Sequence, residues 1–303
     1  MNSPTLISVV IPTYNRAKLI VGTLETVLNQ TYRNFEILVV DNCSTDGTEE
    51  VLQPYIGAGQ LKFIKHDQNY ERARSRNTGM ANATGDFLTF LDSDDFLYPT
   101  CFEDAVGFIR DNPGIKCFHN LNELVNTDRE VVYRAKFPSI VRQLQAISNG
   151  NFMSCIGNFI HRDIYQNYEF DTFQPLTGAE DWDFWLRVLA DNKLGRLEKV
   201  NCGILHHPDR SIKAHNISEL ADGYSYFFKK FRDDKHLSTV YAPYLGRIEA
   251  SSYLYLATLA NSAGLFADAA RFIKLARKAD PSVMLTRRFV TLSARGLLRW
   301  QIR

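Results

Sequence analysis

Apolar and polar positions in the first hundred residues alternate between two periods. Short apolar or β-branched runs occupy residues 6–11, 35–40, 61–64 and 87–91. Most are nearly continuous in apolarity, as strands covered on both faces are. Between them, residues 18–29 place Ile20, Leu24, Val27 and Leu28 on one stripe with Leu19 at its edge, and residues 48–55 and 72–83 carry shorter helical patterns. Strands alternating with helices predict an α/β layer with a parallel, doubly wound sheet, whose ligands bind beyond the carboxyl ends of the strands.

From residue 99 to about 216 the pattern loosens. Helices are expected near 99–112 and 139–148 and strands near 115–118 and 131–133. A firmer helix covers 181–191, where Trp182, Trp185, Leu186 and Leu189 follow i, i+3, i+4, i+7 and face a core. After residue 216 strand signals vanish, and 224–231, 241–263, 266–279 and 281–303 read as helices. There Leu256, Ala257, Gly264, Ala269, Ala276 and Pro281 match the spacing of one tetratricopeptide-like hairpin, while a solenoid needs about three repeats. The chain therefore divides into 1–100, 101–216 and a helical extension, 217–303.

Composition narrows the class without deciding function. With 303 residues, 45% hydrophobic and 23% charged, the chain is long enough for a substantial core, and a formal charge of +1 gives no reason to expect nucleic acid. The cysteines, Cys43, Cys101, Cys117, Cys155 and Cys202, are odd in number and scattered. That argues against a disulfide framework or zinc site and fits a reducing cytoplasm. No signal-peptide pattern opens the chain, and no run approaches the ~18 to 20 apolar residues that span a bilayer.

Charge is uneven only at the end. Beyond Asp280, the last acidic residue, Arg287, Arg288, Arg295, Arg299 and Arg303 interleave with Leu285, Phe289, Val290, Leu292, Leu297, Leu298, Trp300 and Ile302. Such a helix could lie on an anionic membrane surface, pack on the preceding hairpin or mediate self-association. Membrane contact accounts for the arginines, Phe289 and Trp300 together, and would place the protein peripherally at the inner face of the membrane.

The strand at 87–91 delivers Asp92, Asp94 and Asp95. Carboxylates there suit a divalent cation held against phosphate, since Mg²⁺ or Mn²⁺ takes one or two protein carboxylates and fills its shell with water and phosphate oxygens. An Asp-Ser-Asp-Asp tetrad is equally a turn or helix-cap pattern. Other strand ends add to it. The first carries Pro12-Thr13-Tyr14-Asn15-Arg16 and the second Asp41-Asn42-Cys43-Ser44-Thr45-Asp46-Gly47-Thr48, while the third leads through Asn69 to Arg72, Arg74 and Arg76. An aromatic ring, an acceptor, cations and a metal outline a site for base, ribose and diphosphate.

These segments, with Arg76-Asn77-Thr78-Gly79, Phe90-Leu91-Asp92-Ser93-Asp94-Asp95 and Gly178-Ala179-Glu180-Asp181-Trp182-Asp183, resemble in order and spacing the family 2 inverting glycosyltransferases of the GT-A fold. The resemblance covers roughly residues 5–215. It implies a mixed doubly wound sheet, a nucleotide-sugar-binding half in 1–100 and an acceptor-binding half in 101–216. By the same resemblance Pro12, Thr13 and Tyr14 belong to the nucleotide-binding set, with Thr13 and Tyr14 lining the base pocket and Pro12 alternatively only shaping the turn, and Asp41 accepts from a base N3–H, a contact that favours uracil or thymine and so a UDP sugar ahead of a TDP or GDP sugar. Arg76 would lie near the base or diphosphate, Asp92 at the ribose or metal shell, and Asp94 on Mn²⁺ or Mg²⁺. His206-His207 falls where relatives place a histidine completing that site, His207 fitting the spacing better. Asp181 is the expected general base toward a saccharide or lipid-linked acceptor, and Glu180 the runner-up, orienting that acceptor.

Two other readings stand beside it. A sugar nucleotidyltransferase would carry a glycine-rich loop after the first strand, whereas the first glycine is Gly22. An inactive nucleotide-sugar or membrane-binding module would have no need of Asp92, Asp94 and Asp181.

Overall fold

The computed structural model describes residues 4–207 and 217–300. The C-terminal expectations resting on Arg295, Leu297, Leu298, Arg299, Trp300, Ile302 and Arg303, and the loop residues beyond His207, lie outside the described side chains. The chain forms two compact units that interleave in sequence. The first comprises residues 1–140, 153–172 and 191–210, and the second 141–152, 173–190 and 211–303.

The first unit holds every strand of the described residues in one sheet: β1 (Ile7–Thr13), β2 (Phe35–Asp41), β3 (Lys62–Lys65), β4 (Phe87–Phe90), β5 (Phe96–Leu97), β6 (Cys117–Val125), β7 (Val131–Arg134), β8 (Asn158–His161) and β9 (Leu194–Leu205). Their order is β3-β2-β1-β4-β8-β6-β9-β5, with β7 on β6. β1, β2, β3 and β4 are parallel, as the alternation predicts. Beyond β4 the sheet is mixed, because β8 runs antiparallel to both β4 and β6, and β5 antiparallel to β9.

Residues 101–140 thus carry β6 and β7 in the same unit as β1 to β4, since ladder hydrogen bonds hold them to one sheet. Central β1 is buried at every position, whereas edge β3 exposes a lysine at each end. Helices α1 (Ile20–Leu28), α2 (Thr48–Gly57), α3 (Glu71–Asn82) and α4 (Cys101–Asp111) connect the strands. Ile7, Val9, Ile11, Leu24, Val39 and Phe102 share one apolar core. α3 presses onto β1 through Gly79, where an added Cβ would stand 2.2 Å from Val10 Cγ1. That approach fixes the height of Arg76, one turn earlier.

The second unit is helical, with α5 (Gln143–Ser148) and most of α7 (Glu180–Asp191) joining α8 (Ile217–Asp233), α9 (Lys235–Val240), α10 (Leu245–Ser262), α11 (Phe266–Ala279) and α12 (Arg287–Trp300). α6 (Arg162–Tyr165) belongs to the first. Trp182 and Trp185 are buried, and the Trp182 indole N–H donates to the Ile147 carbonyl at 2.8 Å. Asp183, fully buried, accepts from Arg187 Nη2 at 2.7 Å and Lys230 Nζ at 2.9 Å, a paired charge that ties α7 to α8. α10 and α11 form the expected hairpin, turning at Gly264 (φ 79°) and burying Leu256, Ala257, Ala269 and Ala276. α12 packs against both.

Candidate nucleotide-sugar site

The carboxyl ends of β1 and β2 lie side by side, Thr13 paired with Asp41. Pro12 is tolerated inside a central strand because β4 ends at Phe90, opposite Val10, so its missing N–H costs no β1–β4 ladder bond. The loops beyond are laced together. Asn15, in a left-handed turn (φ 52°), donates its N–H to Ser44 Oγ at 2.8 Å and accepts from the Thr45 N–H at 2.9 Å. The Ala17 N–H donates to Asp46 at 3.0 Å. Burial raises the Asp46 pKa, but hydrogen bonds from Thr48 and Ala17 outweigh it and hold the carboxyl below its usual range. Asp46 therefore shapes the turn into α2.

Asp41 is fully buried, and its carboxylate accepts from the Ser44 N–H at 3.1 Å and from the Ser44 hydroxyl. A carboxylate has about four lone-pair sites, so these bonds leave capacity for a further donor. Thr13 Oγ1, buried beside it, has no hydrogen-bond partner among the described residues. Buried hydroxyls are normally satisfied, which makes this oxygen a candidate ligand contact. Tyr14 is 44% exposed and free to present its ring.

Arg76 is almost wholly buried, with its guanidinium carbon 5.4 Å from the centre of the Phe170 ring and Nη2 donating to Asp92 Oδ1 at 3.1 Å. Phe170 is in turn held edge-on by Phe90 of β4. A cation on an aromatic face and in an ion pair is fixed in direction, as a phosphate-binding residue must be.

The aspartates divide their tasks. Asp94 Oδ2 meets His207 Nε2 at 3.0 Å and Arg16 Nη2 at 3.5 Å. His207 is buried, whereas the preceding His206 is exposed and anchors the strand end by donating its N–H to the Val125 carbonyl at 2.7 Å. Asp95 caps no helix, since β5 follows it. Its Oδ1 accepts from the Leu205 N–H at 2.9 Å and its carbonyl from Thr23 Oγ1 at 2.8 Å, clamping the turn between β9 and α1.

One group beside this site escaped the sequence reading. His66, just past β3, places Nδ1 3.0 Å from Asn42 Oδ1 and Nε2 3.0 Å from Thr78 Oγ1. Because the amide oxygen can only accept, Nδ1 carries the proton and Nε2 accepts. Burial, then the Arg74 charge, lowers its pKa and keeps the ring neutral. It braces β2 against α3, and its position at the carboxyl end of a strand was the available signal. Asp181 and Glu180 lie at the start of α7 in the second unit. The Trp182 N–H donates to Asp181 Oδ1 at 2.8 Å, and Glu180 Oε2 accepts from the Gly178 N–H at 2.5 Å.

The profile described as Glycosyl transferase family 2 matches residues 8–168, more than half of the chain. The chain belongs to glycosyl transferase family 2. Its relatives include the UDP-Glc:alpha-D-GlcNAc-diphosphoundecaprenol beta-1,3-glucosyltransferase WfgD of Escherichia coli, 28% identical over 71% of this chain and 82% of that protein. The putative glycosyltransferase EpsE of Bacillus subtilis is 33% identical over 64% and 70% of the two chains. An uncharacterized glycosyltransferase of Rickettsia conorii is 30% identical over 64% of this chain, a match spanning 32% of its own length.

The fold of this family 2 chain is similar to that of Staphylococcus aureus TarS 1-349 in complex with UDP-GlcNAc (TM-score 0.66, 20% identity, 96% of this chain and 88% of that one). It is also similar to the mannosyltransferase PcManGT of Pyrobaculum calidifontis in complex with GDP-Man and Mn²⁺ (TM-score 0.62, 20% identity, 96% and 84%). The architecture is GT-A.

Among the described residues no group of three ligating side chains stands together. Asp94 and His207 do, and a hard carboxylate beside an imidazole fits a small divalent cation that completes its shell with water and phosphate oxygens.

Proposed function

We propose that the protein is an inverting glycosyltransferase that moves a sugar from a UDP-sugar donor to a hydroxyl of a saccharide or lipid-linked acceptor in cell-surface polysaccharide or glycolipid synthesis. The observation that carries this reading is the gathering of Thr13, Asp41, Arg76, Asp92, Asp94 and His207 at and beyond the carboxyl ends of the strands of one sheet. WfgD, by its name, uses UDP-Glc and a diphosphoundecaprenol-linked sugar, which supports the same donor and acceptor classes here.

In this reading the uracil N3–H donates to Asp41 and the Thr13 hydroxyl meets the base, with Tyr14 across the ring. Arg76, preset by Phe170 and Asp92, faces the ribose–diphosphate end. Asp94 and His207 would hold Mn²⁺ or Mg²⁺, with Asp92 nearby at the ribose or metal shell, and a cation bound there would supply Lewis-acid stabilisation of the leaving diphosphate. An acceptor hydroxyl is not acidic at neutral pH, so direct displacement needs a positioned base, and Asp181 fills that role with Glu180 orienting the acceptor. Displacement from the far side of the anomeric carbon inverts its configuration.

No helix among the described residues is long and apolar enough to cross a membrane. Leu285, in the turn just before α12 and 90% exposed, and Val290 within it, 56% exposed, favour contact of this segment with an anionic membrane surface where lipid-linked acceptors reside. The test is a thermal-shift screen of UDP, GDP and TDP sugars with and without Mn²⁺ or Mg²⁺. Stabilisation by a UDP sugar, deepened by cation, is expected; indifference to every nucleotide sugar would sink the reading.

A further inference from the structure

β2 and β3 pair as far as Asp41 and Lys65, and His66 is the next residue. Its main-chain N–H donates to the Asp41 carbonyl at 2.8 Å. The ring adds a second tie to the same strand end. Nδ1 meets the amide oxygen of buried Asn42 at 3.0 Å, and the Tyr70 N–H donates to that oxygen at 2.9 Å. Asn42 gives its Nδ2 to Asn69 Oδ1 at 2.6 Å and its main-chain N–H to the Thr13 carbonyl at 2.8 Å. A main-chain N–H can only donate, so the Tyr70 contact fixes which end of the amide faces His66 and makes Nδ1 the protonated nitrogen. Nε2 is left to accept from Thr78 Oγ1 at 3.0 Å. The ring stands edge-on to Tyr70, centroids 5.5 Å apart, and the Arg74 guanidinium lies 5.5 Å from the centre of the Tyr70 ring.

Thr78 and Arg76 lie on opposite flanks of one contact. Helical geometry puts Gly79 roughly 60° around α3 from Arg76 and Thr78 roughly 160°, both in the same direction. Gly79 is where the helix meets Val10 of β1, with no room for a Cβ. A roll of the helix about that point swings a long side chain such as Arg76. Asn77 exchanges two hydrogen bonds of 2.8 Å with the main chain of Phe170, which fixes the aromatic partner of Arg76. The His66 bond to Thr78 refers the helix to the end of β2 instead. It sets the direction of Arg76 relative to Asp41, the residue His66 grips through its main chain.

We propose that His66 is a positioning residue of the donor site, holding Asp41 and Arg76 in one fixed relation so that both ends of a nucleoside diphosphate are bound together. A ligand grasped at two ends gains from groups whose spacing is set before it arrives, since the cost of ordering them is not incurred on binding. Cutting such a link weakens the whole ligand more than either part. The main-chain bond from residue 66 to Asp41 survives truncation of the ring, so the base end keeps its place. This deepens the proposed function and rests on its donor roles for Asp41 and Arg76.

The full chain is titrated calorimetrically with UDP, and with uridine by displacement of UDP, at constant Mn²⁺. The wild type is compared with His66→Ala, His66→Gln, Thr78→Val and the double variant of His66→Ala with Thr78→Val, and circular dichroism at the titration temperature checks that each is folded. His66→Ala should weaken UDP about tenfold and uridine by less than about threefold. Thr78→Val, which keeps the shape and removes the hydroxyl, should reproduce most of the UDP loss. The double variant should lose no more than His66→Ala, because both changes cut one bond. Glutamine carries its terminal amide to the reach of Nε2, so His66→Gln keeps the bond to Thr78 and should recover most of the UDP affinity.

UDP affinity held within about twofold in both His66→Ala and Thr78→Val would overturn the proposal. So would equal losses for uridine and UDP, which would mean that the ring only stiffens the fold. If His66→Ala does not fold, Thr78→Val and His66→Gln decide the matter by the same comparison. A wild type that binds neither ligand would refute the donor reading and this proposal with it. A wild type that binds UDP beside unaffected variants would refute the role of His66 alone.

Discussion

Asp94 and His207 are 113 residues apart in sequence and 3.0 Å apart in space. The contact joins the turn after β4 to the chain leaving β9, and Asp95 reinforces it by holding the Leu205 N–H. Two neighbouring carboxylates thereby split their contacts: Asp94 meets His207, and Asp95 holds the end of the strand that leads to it.

Replacing Asp94 by Asn preserves shape and removes the charge a cation needs. Asp94→Asn is expected to abolish the Mn²⁺-dependent part of the thermal shift and to lower transfer by about two to three powers of ten. A variant with unchanged cation response and turnover would show that Asp94 is not a ligand. His207→Ala should weaken the cation response in the same direction.

For Asp181 the expected split is between binding and chemistry. Asp181→Asn should leave UDP-sugar stabilisation within about twofold and cut transfer by roughly 10²- to 10⁴-fold, the usual worth of a general base. Initial rates with saturating donor measure this, and unaltered turnover would exclude Asp181 as the base.

Arg76 depends on a planar cation lying on Phe170 while reaching Asp92. Arg76→Lys keeps the charge but not the fork or the stacking. Donor affinity should fall about tenfold in isothermal titration, and Phe170→Leu should produce a smaller loss through the same residue. Equal affinity in both variants would remove Arg76 from the donor site.

The Gly79 contact with Val10 makes a packing prediction. Gly79→Ala adds a methyl where β1 leaves no room, at a cost of about 1 to 3 kcal/mol in chemical denaturation. Because α3 carries Arg76, donor affinity should fall with it. The double variant with Val10→Ala makes room and should recover part of both.

Buried His119 of β6 governs an acid response. Burial and the Arg196 charge, against the pull of the Asn120 carbonyl, lower its pKa to about 4. Nδ1 donates to that carbonyl and Nε2 accepts from Arg196 Nε at 2.9 Å, so the ring is neutral in the fold. Between the unfolded value of about 6.5 and the folded value the unfolded state binds more protons, so stability falls as pH drops through that window. The loss is on the order of 3 kcal/mol. Urea midpoints from pH 7 to 4 should show a shallower decline in His119→Gln, and an identical decline would assign the acid response elsewhere.

Much of the parallel half of the sheet was legible because its signals are local. The runs that become β1, β2 and β4 are nearly continuous in apolarity, broken only by Ser8, Glu36 and Thr89, and the topological rule then places Thr13, Asp41 and Asp92 at a common edge. β8 and β9 were not legible. β9 runs Leu-Gly-Arg-Leu-Glu-Lys-Val-Asn-Cys-Gly-Ile-Leu, in which charged and glycine positions break any alternation, and its register on β6 shifts between Asn120 and Asn122. Its extended form comes from ladder bonds to β6 and β5, which no local window contains.

By itself the sequence determined the parallel half of the sheet, the helical extension and the chemical inventory of the site, because period and residue type are properties of neighbouring positions. Tertiary structure alone decided the pairings: His207 on Asp94, Phe170 beneath Arg76, His66 between Asn42 and Thr78. Each joins segments separated by loops whose path depends on the packing of the whole unit. A side chain's charge can be read from its letter, but its partner is set only when the chain closes on itself.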